Sequence, residues 1–275
     1  MIGPEFILLI ISLMVFFVVI TKMYFTMVGY SELKDSGGVL VPITPLVDQH
    51  ITANGDNVFV PAFAQKIMMA WGQGATLDLA RIVAPSLRGA SYPDIGVINR
   101  AFNTLRTWFG EWYEESLRDL DVAEGLQFHV AESAVGAEQE RGIYLLTNGM
   151  TAKPEGVIET IHGVGTTTTV AEAWTQCAIV WDQVLRAGVY EIVGLKVEGA
   201  SMIAGRLIIP DSKYRPGCIG TQDGQNVTDE RFRMGNLGAW GKFDARFIPD
   251  LEIWTSVIEA AQEVYIDVVR IGDSE

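Results

Sequence analysis

Residues 74–85, with the sequence GATLDLARIVAP, have a close counterpart at residues 199–210, which read GASMIAGRLIIP. Gly, Ala, Arg and Pro recur in register between the two segments, at an offset of 125 residues (position 74 to position 199). The other aligned positions are mostly apolar, and each segment is typical of a strand that leads into a turn. The match predicts that one structural unit occurs twice in the chain.

Other segments repeat at a similar offset. LQFH at 126–129 aligns with LEIW at 251–254, and the QKI that ends at Ile67 aligns with the YEI that ends at Ile192. IYLLTNG from Ile143 aligns with IDVVRIG from Ile266 at an offset of 123 (143 to 266). A period this long exceeds that of solenoid repeats and equals the size of a whole domain. We therefore predict two units, 39–150 and 151–275.

Both units have the sequence character of β-structure. Thr, Val, Ile and aromatic residues alternate with polar residues in short runs that are separated by Gly- and Pro-rich turns. The runs follow one another without regular helical crossovers, which favours antiparallel sandwiches over a parallel α/β fold. A β unit of this size suits an eight-stranded jelly roll. The predicted fold is all-β, with two tandem jelly-roll sandwiches preceded by an N-terminal hydrophobic helix.

The first thirty residues differ from the rest of the chain. Residues 6–20, FILLIISLMVFFVVI, contain no charge, and the apolar character continues to Tyr30 with Lys22 as the one charged residue. A helix over 2–30 would be about 40 Å long, enough to cross a bilayer or to lie along it. We predict a membrane-associated helix over 1–30 and a polar hinge at 31–38. The predicted membrane contacts are Phe6, Leu8, Leu9, Phe16, Phe17, Lys22 and Tyr24.

Two alternatives to a membrane helix stay open for this segment. The first alternative is a cleaved signal peptide. The start MIGPE lacks the basic residues of such a peptide, and no small-residue cleavage site follows the apolar run. A helix that packs against protein partners is the other alternative.

One further helix is predicted within the first unit, at about 97–120, where large apolar residues recur at helical spacing. Its aromatic face includes Trp108 and Trp112.

Composition excludes several classes of function. A net charge of −14 argues against a direct contact with nucleic acid and against adhesion to anionic lipid headgroups. The three histidines are isolated in sequence, and no motif for a phosphate loop or an activated nucleophile is present. We expect no enzyme activity, no metal and no cofactor. A disulfide between Cys177 and Cys218 and glycosylation at Asn226 are left open.

The second unit resembles a known family in three segments. These are AGVYEIVGLKVEGASMIAGRLIIP at 187–210, RPG at 215–217 and FRMGNLGAWGKF at 232–243. Together with the duplication, they resemble the double jelly-roll major capsid proteins of tailless icosahedral viruses that contain an internal membrane. The resemblance implies a coat protein of the virion. It would form homotrimers with a pseudo-hexagonal footprint, tile a shell, and contact the internal membrane and other capsid proteins.

The resemblance also implies where subunits would meet. The predicted interface anchors, chosen because aromatic residues and Arg dominate interface energetics, are Trp108, Trp112, Arg215, Trp240 and Phe243. The alternative is that these aromatic side chains cover the core of their own unit. Two other functions stay open: a membrane-anchored tandem β-sandwich that binds a glycan or a peptide, and a subunit of a filament or surface layer.

Overall fold

The computed structural model describes most of the chain from Tyr24 onwards. The described residues are 24–31, 39–46, 53–73, 77–87, 95–97, 118–132, 140–149, 154–210, 215, 217–219, 232–233 and 238–274. They form twenty-one strands and a single 3-10 turn at Pro85–Leu87, without an α-helix among them. The predicted all-β class is confirmed.

Eleven strands lie in the first half of the chain. They are β1 (Tyr24–Ser31), β2 (Val41–Pro42), β3 (Thr44–Pro45), β4 (Ala53–Asn54), β5 (Asn57–Phe59), β6 (Lys66–Gln73), β7 (Leu77–Val83), β8 (Ile95–Val97), β9 (Arg118–Asp119), β10 (Gly125–Glu132) and β11 (Glu140–Thr147). One sheet has the strand order β3-β1-β11-β6-β9. The other has the order β4-β5-β10-β7-β8, with β2 also paired to β10.

Ten strands lie in the second half. They are β12 (Ile158–Gly165), β13 (Thr175–Cys177), β14 (Ile179–Trp181), β15 (Val189–Glu198), β16 (Met202–Ile208), β17 (Gly217–Ile219), β18 (Phe232–Arg233), β19 (Gly241–Asp244), β20 (Asp250–Thr255) and β21 (Gln262–Gly272). One sheet has the order β14-β12-β21-β15-β18, with β19 also paired to β15. The other has the order β13-β20-β16-β17.

The two halves repeat one strand order. The series β1-β11-β6-β9 in the first half corresponds to β12-β21-β15-β19 in the second, and β10-β7-β8 corresponds to β20-β16-β17. All of these pairs are antiparallel, and in each half the first long strand pairs with the last. The duplication seen in the sequence therefore extends to the connectivity of the sheets.

Two β-bulges occur at matching positions in the two halves. In the pairing of β6 with β11 the bulge skips Met68, and in the pairing of β15 with β21 it skips Val193. In β7 and β16 the bulges skip Asp78 and Ile203. Both pairs are 125 residues apart (68 to 193, and 78 to 203). Because bulges fix register and increase local twist, their recurrence supports a common origin for the halves.

The strand pairing corrects one part of the sequence alignment. Ile82 lies opposite Phe128, and its counterpart Leu207 lies opposite Leu251, so Phe128 corresponds to Leu251 at an offset of 123. The sequence comparison had matched Leu126 with Leu251. A shift of two residues leaves every side chain on the same face of a strand, so apolar alternation could not detect it.

The predicted N-terminal helix is wrong over its last residues. Tyr24–Ser31 is strand β1, and each of its eight residues has a partner in β11. An apolar run does not by itself separate a helix from a buried strand, and this part of the run contains β-formers and Gly29. The predicted contacts Phe6, Leu8, Leu9, Phe16, Phe17 and Lys22 lie outside the described residues. Among the described residues, no helix is long and apolar enough to span a membrane.

The predicted helical insertion at 97–120 is wrong at its two ends. Its first residue, Val97, ends strand β8, and Arg118–Asp119 near its other end forms strand β9. Val97 pairs with Ala80 and Arg118 pairs with Ile67, so sheet pairing at both ends overrides the helical spacing of the apolar residues. Residues 98–117, which include Trp108 and Trp112, lie outside the described residues.

Each half has its own apolar core between its two sheets. In the second half the core includes Tyr190, Ile192, Leu207 and Ile266, all of them fully buried. The core of the first half includes Phe128 and other apolar residues of the facing sheets. Leu46, which follows β3, packs into the core of the second half. Strand β17 lies next to β1 and β11, so the halves are in contact.

Replacing Gly217 by Ala is expected to destabilise the second half. A Cβ atom at this position would overlap the backbone oxygen of Gly205 and lie 2.7 Å from Cβ of Arg206. Overpacking of this kind costs about 1–3 kcal/mol. Urea unfolding measures the loss. The matched control is Gly272→Ala, because a Cβ atom there meets no heavy atom within 4 Å. Equal effects of the two substitutions would contradict the expected overlap.

Candidate functional site

A cluster of charged and aromatic side chains covers one face of the sheet β13-β20-β16-β17. Leu207, Leu251 and Ile253 point from this sheet into the core. By alternation along the strands, Arg206 and Glu252 point to the opposite face, where they are cross-strand partners. The cluster therefore lies on the outer side of the sandwich.

Glu252 forms ion pairs with two arginines. Nε and Nη2 of Arg206 donate to Oε2 of Glu252 at 2.7 and 2.6 Å, and Nη1 of Arg215 donates to the same oxygen. The side chains of Arg206, Glu252 and Arg215 are 5%, 13% and 16% exposed. At this degree of burial, each charge depends on its partners, because the desolvation of an unpaired ion is costly.

Two tryptophans complete the cluster. The guanidinium of Arg206 lies 3.9 Å from the ring centroid of Trp174, and Trp254 meets Trp174 edge to face at 5.7 Å between centroids. Arg is suited to such a position because its planar group can stack on a ring while it donates hydrogen bonds in its own plane. The cluster therefore fixes β13, β16 and β20 relative to one another on their outer side.

The arginine of this cluster is the one that the duplicated segments share. Arg206 lies opposite Gly217 on the neighbouring strand, and Arg81 lies opposite Gly96 in the first half. On the other side, Arg206 faces Glu252 and Arg81 faces His129. The repeated Arg–Gly neighbours are consistent with a structural role, whereas the cross-strand partner on the other side differs between the halves.

A second polar cluster lies on the outer face of the sheet β14-β12-β21-β15-β18. Nδ1 of His162 lies 2.8 Å from Oδ2 of Asp182, and the His162 ring contacts the Tyr265 ring in a tilted arrangement, with 4.5 Å between centroids. Nζ of Lys196 lies 2.5 Å from Oε2 of Glu198. Among the described residues, no group of His, Cys, Asp and Glu side chains has an arrangement that could hold a metal ion.

A carboxylate fixes the turns at one end of the second half. The two oxygens of Glu259 accept hydrogen bonds from the backbone N–H groups of Ala200 and Ser201 at 2.9 and 3.0 Å. The hydroxyl of Ser201 donates to the same carboxylate, and the backbone N–H of Glu259 donates to the hydroxyl of Thr169. Three separate loops are thereby held together.

Three of the predicted interface anchors, Arg215, Trp240 and Phe243, lie within the described residues. Trp240 and Phe243 are each only 4% exposed and belong to the core of the second half, where Phe243 stacks on Tyr190. They therefore pack in the core of the second half, and a role at a subunit interface stays a prediction. The reason for their burial is that β19 pairs with β15 and turns these side chains inwards. Arg215 is bound to Glu252.

Glu252→Gln is expected to destabilise the chain strongly. The substitution removes the charge that compensates both Arg206 and Arg215, and breaking a buried pair of this kind costs about 3 kcal/mol. Urea unfolding measures the change in free energy. Asp273→Asn is the matched control, because Asp273 pairs with Arg270 while its own side chain is 93% exposed. We expect that control to stay within about 0.5 kcal/mol of the parent chain.

Both cysteines are free thiols in the core of the second half. Burial, with a smaller contribution from the Glu259 carboxylate, raises the pKa of Cys177 to about 11. Burial also raises the pKa of Cys218 far above its usual value. We expect neither thiol of the folded chain to react with an aromatic disulfide reagent at pH 8, and both to react in denaturant. Rapid reaction of the folded chain would contradict this burial.

Comparison with known proteins establishes neither the fold nor the function of this chain. No protein-family model matches the chain, and no curated protein matches it. Among solved structures, the chain has a likeness to the major capsid protein P2 from bacteriophage PM2, which covers 92% of this chain and 98% of that chain. The sequence identity is 11% and the TM-score is 0.22. At these values the likeness does not establish a shared fold or function.

Proposed function

We propose that the chain is a structural coat protein built from two tandem jelly rolls, which assembles as homotrimers into a shell over an internal membrane. The observation that carries the proposal is the strand order of the two halves. In a jelly roll, eight strands form two facing sheets, and the first strand pairs with the last. The second half has this arrangement, with β12-β21-β15-β19 facing β13-β20-β16-β17.

The first half supports the same assignment. Its strands β1-β11-β6-β9 form one sheet, and β5-β10-β7-β8 form the other. Because β1 is the first strand of this order, the first jelly roll begins at Tyr24 and not at residue 39. The hinge that was expected at 31–38 then lies inside the first unit, between β1 and β2. The second jelly roll runs from β12 to β21.

The duplication gives a physical reason for a shell. Two similar units in one chain are related by a pseudo-symmetry, so a trimer presents six similar units and has a near-hexagonal outline that can tile a surface. Closed cyclic symmetry is the usual form of homo-oligomers. The role is structural and not enzymatic. Partners would be further copies of the chain and other proteins of the shell.

The N-terminal residues supply the proposed membrane contact. Residues 6–20 carry no charge and are apolar apart from Ser12, and they end four residues before Tyr24, where β1 begins. A segment of this hydrophobicity partitions into lipid more favourably than it remains in water. Lys22 and Tyr24 would then lie near the headgroups, where amphipathic side chains are favoured.

The mass of the full chain in mild detergent, measured by light scattering coupled to size exclusion, tests the proposal. We expect a protein mass three times the chain mass of 30.2 kDa, independent of concentration over a hundredfold range. The full chain is needed because a truncation at Ser31 would remove β1. A monomer at all concentrations would contradict the coat-protein proposal.

Variants locate the interface in the same experiment. Replacing Trp108 and Trp112 by Ala is expected to dissociate the trimer, because large aromatic anchors contribute most of the binding energy of interfaces. Val257→Ser is the control, since Val257 is an exposed loop residue of the second half. It is expected to leave the trimer intact.

A further inference from the structure

One end of each sandwich is defined by the start of its first strand. In the first half, Tyr24 begins β1 opposite Thr147, which ends β11, and Lys66 begins β6 opposite Asp119, which ends β9. In the second half, the corresponding end lies where Val189 pairs with both Gly272 and Asp244. We call these two ends the base of each half.

The same short turn lies at both bases. It connects β9 with β10 over residues 120–124, and β19 with β20 over residues 245–249, so each turn has five residues. The turns carry Val122 and Phe247, which are 53% and 60% exposed. These two residues are not equivalent positions, because the turn hydrogen bond from the N–H of Glu124 to the oxygen of Asp121 recurs from Phe247 to Asp244, at an offset of 123. Single exposed apolar residues are normal on a protein surface. Each turn nevertheless presents one large exposed apolar side chain at the base.

Backbone hydrogen bonds hold both turns in place. In the first half, the N–H of Ala123 donates to the oxygen of Val60 at 3.0 Å, and the N–H of Leu120 donates to the oxygen of Gln65 at 2.8 Å. In the second half, the N–H of Ala245 donates to the oxygen of Gly188 at 2.9 Å. The two apolar side chains are therefore presented on ordered turns at the base.

Other exposed apolar residues lie on segments next to these turns. They belong to the connections that enter β6, β12 and β15 and to the end of β21. They are Phe63, Val157, Ile158, Val184 and Ile271. Together with the two turns they give the base of both halves an apolar rim.

The position of the N-terminal segment indicates what this rim contacts. The apolar run 6–20 enters the fold at Tyr24, which lies at the base of the first half. The four-residue step from Ile20 to Tyr24 spans at most about 14 Å in an extended chain. A bilayer that holds the run therefore lies within about 14 Å of this base.

We propose that the apolar rim of the base, centred on Val122 and Phe247, inserts into the headgroup and acyl-chain boundary of a lipid bilayer. This contact is additional to the N-terminal segment. The inference rests on the proposed membrane contact of that segment, and it does not depend on the trimer. Apolar side chains on fixed turns contribute to interfacial binding in proportion to the area that they bury.

The charges of the base indicate that the contact does not need anionic lipid. Arg246 is bound to Asp244 at 2.7 Å, and Arg270 is bound to Asp273. Arg246 and Arg270 thus each have an acidic partner, and the whole chain carries a net charge of −14. The rim is expected to bind zwitterionic bilayers as well as anionic ones, with little dependence on salt.

Site-specific fluorescence on the full chain in phosphatidylcholine vesicles tests the inference. Single cysteines are introduced as Val122→Cys, Phe247→Cys and Val257→Cys and labelled with an environment-sensitive dye. Buried Cys177 and Cys218 should remain unlabelled. Val257 is the matched control because it is 59% exposed but lies after β20, at the end opposite to the base. A Leu9→Cys label reports on the N-terminal segment.

We expect shallow nitroxide-labelled lipid to quench the dyes at 122 and 247 at least threefold more than the dye at 257. Equal quenching at 122, 247 and 257, with the label at 9 still quenched, would overturn this inference and leave the N-terminal contact standing. Loss of quenching at position 9 as well would contradict both the proposed contact of the rim and the proposed contact of the N-terminal segment. A blue-shifted but unquenched dye at 247 would indicate a protein partner and would also overturn the inference.

A charge-introducing variant gives a second readout. Val122→Asp together with Phe247→Asp is expected to lower the fraction of chain that floats with phosphatidylcholine vesicles roughly tenfold at limiting lipid. The control carries Val257→Asp and Ile258→Asp, two exposed residues of the opposite end. Equal loss in both variants would contradict the proposed orientation.

Discussion

The pairing of the first strand with the last closes each half of this protein, and the rest of the structure depends on it. Tyr24 pairs with Thr147, and Ile158 pairs with Val269, so each closure joins residues more than a hundred positions apart. Contacts of such sequence separation are slow to form and costly in chain entropy. The apolar cores between the sheets offset that cost, because closure brings their two faces together.

Buried charges in the second half are arranged to remain paired. Arg206, Arg215 and Glu252 form one cluster on the outer side of a sheet, and the Trp174 ring covers the guanidinium of Arg206. The first half keeps the arginine and its glycine neighbour but has His129 in place of the carboxylate. The two halves thus share a backbone design, while their outer faces have diverged. Such divergence is expected if the two units of each chain face different neighbours in a trimer.

The base and the opposite end of the second half differ in chemistry. The opposite end is tied by a network of hydrogen bonds around Glu259, which joins three loops. The base carries the apolar residues of two equivalent turns and lies where the N-terminal segment enters the first half. Exposed apolar residues also occur at the opposite end, at Val170, Val257 and Ile258. The feature that distinguishes the base is therefore the entry of the N-terminal segment at Tyr24.

The sequence by itself determined the β class and the existence of a duplication, because alternation and repeated residues are local properties that do not depend on distant contacts. It also identified Arg206 as a repeated residue, but it did not identify Glu252 and Trp174 as the partners of Arg206. Only the tertiary structure decided that residues 24–31 form a strand, that the offset is 123 in β10 and β20, and that Trp240 and Phe243 are buried. Each of these depends on pairing between strands that are far apart in sequence. An apolar run has the same local pattern in a helix and in a buried strand, and a two-residue shift leaves the alternation along a strand unchanged.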